Sequence, residues 1–196
     1  MTNPYAAPTA PITTTSDGGD EDGDNAFFIV SKRKFWVMNI ATLGLYVVVW
    51  GYQNWSALKR RYRLSAWPVM RAIFAIFFMH SLMDFARRAA VRTGRNTTFP
   101  YKSAATLAVI VCLINYVLDR VVSKNVGYPY TDVVSLFFLL PVTHVVWRMQ
   151  DAINQVSGDP EGTANARFTS WNILWMVLGA VLWGFSIWGF IAPEPV

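Results

Sequence analysis

"WNILWMVLGAVLWGFSIWGFIA", Trp171–Ala192, carries no charged residue along its whole length. At ~1.5 Å per residue, a helix of this length spans about 33 Å, enough to cross a hydrocarbon core of ~30 Å. It is apolar on every side, which suits lipid as a solvent. Ala180 and Gly184 lie four apart in it. That spacing of small residues lets another helix approach closely. Trp171, at its start, is placed as an interfacial anchor.

Two further runs precede it: "VVSLFFLLPVTHVVW" (Val133–Trp147) and "AATLAVIVCLINYVLDRVV" (Ala104–Val122). Both predict spans. Pro141 should kink the first of them. Trp147 is expected at a headgroup boundary, and Asp119 and Arg120 mark another. The whole chain agrees, with 54% hydrophobic and 15% charged residues and a mean hydropathy of +0.30. A soluble domain carries roughly 25% charged residues. The net charge of +5 does not imply nucleic acid, because the basic residues lie between apolar runs, where they set orientation and meet anionic headgroups. The lipid bilayer is the expected partner.

Nearer the start, Lys32, Arg33 and Lys34 open "FWVMNIATLGLYVVVWGYQNW", Phe35–Trp55. It is long enough to cross, with Trp36, Trp50 and Trp55 as expected anchors. Thr42 and Gly44 allow a break in its middle, and both flanks are basic, so a re-entrant hairpin competes with a crossing. The second segment, 68–83, is weaker. Only "AIFAIFFMHSLM" lies between Arg71 and Asp84, a length that suits an interfacial or re-entrant piece. It spans only if Arg71 snorkels and the helix begins near Pro68.

Loop charge separates these options. With five crossings and a cytosolic start, ten Lys and Arg lie inside and seven outside. If the first two segments both dip and return, fifteen lie inside and two outside. If the tail is outside, the first segment spans and the second dips, the split is twelve to five. The positive-inside rule favours the re-entrant arrangements. These place 59–63 and 87–95 in the cytosol.

Residues 1–26 are rich in Pro, Thr and Ala, then acidic, which predicts a disordered tail ahead of a helical membrane domain over 27–196. The lone Cys112 excludes an intramolecular disulfide and reads as a small buried hydrophobe.

The candidate binding residues are Arg71, His80, Asp84 and His144, ionisable groups at or within apolar runs. His80 and Asp84 share a helix face at i, i+4 and are able to hydrogen-bond. The alternatives are satisfied interfacial contacts and, for His144, a carbonyl freed by Pro141. Ser157–Pro160 reads as a turn, Ser170 as a helix cap, and Asn165 and Arg167 as a recognition pair or a solvated loop. No catalytic motif is present. Two histidines and one cysteine make a metal site hard to assemble, and no cofactor is expected. A membrane enzyme would need His80, Asp84 and His144 to converge, with Asp119 or Asp132 as a further candidate.

"KFWVMNIATLGLYVVVWGYQNW" (Lys34–Trp55) resembles the opening segment of a family of uncharacterised bacterial multi-pass membrane proteins, a domain of unknown function. Thr42, Gly44, Tyr46, Trp50, Tyr52, Asn54 and Trp55 carry the likeness. Trp67–Phe78 and Asn165–Gly189 are similar to that family too. The resemblance implies a bacterial inner membrane and no activity.

The expectation is an all-α integral membrane bundle of three to five transmembrane spans. It is expected to be a non-enzymatic accessory protein packed through Gly44, Ala180 and Gly184 against another membrane protein or a second copy. The alternatives are a small transporter or channel using His80, Asp84 and His144, and an immunity-type membrane protein.

Overall fold

The computed structural model describes residues 26–191, and every regular element among them is helical. The helices are α1 (Lys32–Ala41), α2 (Tyr46–Tyr62), α3 (Pro68–Ile73), α4 (Ala75–Thr93), α5 (Tyr101–Val122), α6 (Tyr130–Val156) and α7 (Ser170–Ile191). A 3₁₀ turn covers Thr163–Asn165. Three helices, α5, α6 and α7, are long and apolar enough to cross a membrane. The expected tail lies outside the described residues except for Ala26, which is fully buried and so belongs to the folded domain.

The first apolar run is a helical hairpin. Ser31 caps α1 by accepting from the Lys34 amide. The helix then ends in two consecutive left-handed residues, Leu43 (φ 49°) and Gly44 (φ 87°). Their amides donate back to the carbonyls of Ile40 and Asn39, closing the last turn. Thr42 joins the two arms, donating to the Met38 carbonyl and accepting from the Tyr46 amide. In a straight helix residues 35 and 46 would stand about 16 Å apart. Instead the Phe35 ring lies 5.8 Å from Tyr46 and 6.5 Å from Trp50.

The second segment also turns back. Pro68 starts α3, as its fixed φ suits a first helical turn. Ala72 rises to the level of Gly51 on α2, and the helix breaks at Phe74. Along α4 the partners then descend: Phe78 meets Trp55, Phe85 meets Tyr62, and Arg92 donates to the Tyr62 hydroxyl.

The hairpin tip reaches the middle of the long helices. Gly44 abuts Leu139 of α6, and Gly179 of α7 leaves room for the Ala41 carbonyl. The Trp183 indole donates to the Ile40 carbonyl at 3.0 Å. The open ends of both turned-back segments share one end of the bundle. There Lys34 meets Asn165, and Arg95 reaches the Val156 carbonyl.

This arrangement corrects several expectations. Trp50, Trp55 and Trp147 are 1%, 1% and 7% exposed, so they are core residues rather than headgroup anchors. The fold-back covers them: Trp147 packs on Phe35, and Trp55 on Phe78 and Phe85. Trp36 is half-buried beside His144, whereas Trp171 is exposed. Among the described small residues of α7, the one that admits a close approach within the chain is Gly179. Ala180 faces outward, and a Cβ on Gly184 would meet open space. Thr169, not Ser170, caps α7, exchanging hydrogen bonds with Asn172.

Candidate functional site

The four expected binding residues do not form one site. His80 faces outward, with its Nε2 3.0 Å from the Thr106 hydroxyl. Asp84 pairs instead with Arg87 and Arg88, at 2.8 and 2.7 Å. The Arg87 hydrogen bond leads in holding its carboxyl below the ordinary range. Arg71 stacks over Trp55 and Phe78, a cation–π arrangement that keeps its charge on aromatic faces. His144 stands edge-on to Trp36. The hydroxyl that bonds a carbonyl near Pro141 is that of Thr143, donating to Leu139.

Two other constellations were not singled out from sequence. The first is a set of buried side-chain amides around the extended segment 26–31. Gln150 donates to the Phe28 carbonyl and to Asn154, and it accepts from the Trp50 indole. Asn154 both accepts from the Val30 amide and donates to its carbonyl. Asn54 accepts from Phe28, and Asn165 donates to Ile29. A non-helical backbone buried in protein needs such partners for its polar groups. Lys34 completes this end, its Nζ 2.6 Å from the Asn165 amide oxygen and 2.7 Å from the Arg167 carbonyl. Burial with only neutral acceptors pulls its pKa down. The Asn165 side chain and the Arg167 carbonyl therefore form an internal clamp, while Arg167 itself is exposed.

The second is a cavity of about 930 Å³ at the opposite end. Its floor is the hairpin tip, Leu43 and Gly44, and its walls are the last turns of α5 and α7 and the first half of α6. Asp119 sits at its rim, accepting from Asn115 at 2.8 Å and from the Ser135 hydroxyl at 2.7 Å. Asp132 lines the same cavity three residues before Ser135, on the same face of α6. Among the described residues no group of three His, Cys, Asp or Glu could hold a metal ion. The polar residues here are dispersed over α5, the α5–α6 loop and α6, so only the folded chain gathers them.

No family model, curated protein or solved structure matches this chain.

Proposed function

We propose that the protein is a non-enzymatic, multi-pass accessory protein of a bacterial inner membrane, packed there against another membrane protein or a second copy of itself. The exposed side of α7 carries this reading. Its inward stripe is narrow, running through Asn172, Met176, Gly179, Trp183 and Ser186. Its outer surface presents Trp171, Leu174, Leu178, Val181, Phe185 and Trp188, all at least 48% exposed. These alternate at spacings of three and four, the seam along which a second helix packs, with Ala180 and Gly184 beside it to admit close approach.

The orientation follows from charge. Both turned-back segments leave their basic flanks at one end, the arrangement that gathers fifteen of the seventeen Lys and Arg. By the positive-inside rule that end is cytosolic. The family resemblance supports a bacterial inner membrane. A flux route through His80, Asp84 and His144 has no comparable support, since none of them lines the large cavity.

The test is cross-linking from a cysteine at position 181 in a Cys112→Ser background, in native membranes and in mild detergent. A discrete adduct, lost in Gly184→Leu, is expected. A monomer with no adduct under every condition would remove the proposal.

A further inference from the structure

The cavity above the hairpin tip has a chemical character of its own. Its floor and walls are mostly aliphatic and aromatic, including Leu139 and Trp183. Two carboxylates, Asp119 and Asp132, interrupt that surface, and no Lys or Arg lines it. Among the described residues, the only ion pairs lie elsewhere, on Asp84. The Asp119 carboxylate is held in place by the Asn115 amide and the Ser135 hydroxyl. Two neutral donors fix its direction while leaving its charge uncompensated.

We propose that this cavity is a binding site for an amphiphilic organic cation, with the cationic group between Asp119 and Asp132 and the apolar body against Leu139 and Trp183 on the hairpin tip. Pockets that bind small molecules are apolar, with a few placed polar groups that set orientation, and they range over roughly 300–1,000 Å³. This cavity meets all three conditions. An anion would meet two like charges. A bare metal ion has no ready-made cage here, since among the described residues no three His, Cys, Asp or Glu side chains converge and the two carboxylates fall short of the charged ligands such an ion gathers. A fully apolar ligand would leave the charge of both carboxylates unmatched. A quaternary or ammonium group on an apolar body satisfies both surfaces.

Equilibrium binding to the purified full-length chain in dodecyl maltoside tests this, with radiolabelled tetraphenylphosphonium as the probe and empty micelles subtracted. Saturable one-site binding is expected. Radiolabelled tetraphenylborate, of like shape and opposite charge, measured by itself in place of the phosphonium, should show no saturable binding. The isosteric Asp119→Asn/Asp132→Asn variant keeps the volume and should weaken binding at least tenfold. Leu136→Trp keeps both charges, fills the cavity and should weaken binding as well. Thermal unfolding of each variant verifies the fold. If a variant fails to fold, the separate phosphonium and borate isotherms decide on the wild-type protein alone. Phosphatidylethanolamine displacing the probe would assign the cation to a lipid headgroup; no displacement would assign it to a free molecule. Absence of saturable phosphonium binding, equal binding by the folded double variant, or equal saturable binding of borate measured alone would each overturn the proposal.

Discussion

Asn154 shows what a single side chain does in this fold. Its amide meets both polar groups of Val30, which are fully buried where no helix supplies partners. Asn154→Leu keeps the volume and orphans both groups. An unsatisfied buried donor or acceptor costs about 1–3 kcal/mol. The unfolding midpoint in detergent should therefore fall by several degrees, and an unchanged midpoint would show that the segment 26–31 is not held this way. The role of Asn154 was not legible in the sequence. It lies in a polar stretch just beyond an apolar run, and nothing local tells a buried amide from a solvated one. Gly179 was missed for a related reason. Because, beyond its first residue, only Asn172 and Ser186 interrupt the apolar surface of α7, the chain holds too little polar–apolar contrast to mark its inward side. The spacing of Ala180 and Gly184 was visible, but not the direction they face. Trp50 and Trp55 sit at the end of an apolar run, a pattern that headgroup anchors and covered core residues share.

Among the elements, the α1–α2 hairpin was legible because Thr42 and Gly44 are the residues that end a helix inside an apolar run. The break at Phe74 was not, since no Gly or Pro marks it. The short second segment suggested only that it need not cross. The α6–α7 connection is a compact turn built on Asp159, whose carboxylate accepts from the amides of Thr163 and Ala164 and from the Thr163 hydroxyl. Burial opposes ionisation there, yet these amide donors outweigh it and hold the carboxyl below its ordinary value. A depressed folded-state value means the stabilisation is complete above the ordinary carboxylate pKa and is lost as the pH falls through the lowered one. Hydrogen exchange, corrected for intrinsic rate, should show protection of the Thr163 and Ala164 amides falling across that acidic window. Asp159→Ala should remove the protection already at neutral pH, leaving α6 unchanged. Equal protection in both proteins would place the turn's stability elsewhere.

For the molecule as a whole, the two returns of the chain decide what faces each side. Topology reporters placed in 56–66 and 87–103 should report the same face, and one placed in 123–129 the other. Reporters in the first two loops on opposite faces would break the architecture described above. The charge count had already favoured this arrangement, because segments that return to their own side keep Lys59–Arg63 and Arg87–Arg95 together. The cavity was beyond reach of such counting, since it exists only where the hairpin stops short between three longer helices. That stop has a bearing on biogenesis. The α1 arm is fastened at its far end by Trp183, 143 residues later in the chain. A ribosome therefore delivers the arm long before its fastening. Until α7 is inserted, the carbonyls of Ile40 and Ala41 lack their final surroundings, so the first segment completes its seating only when the last of the described helices arrives.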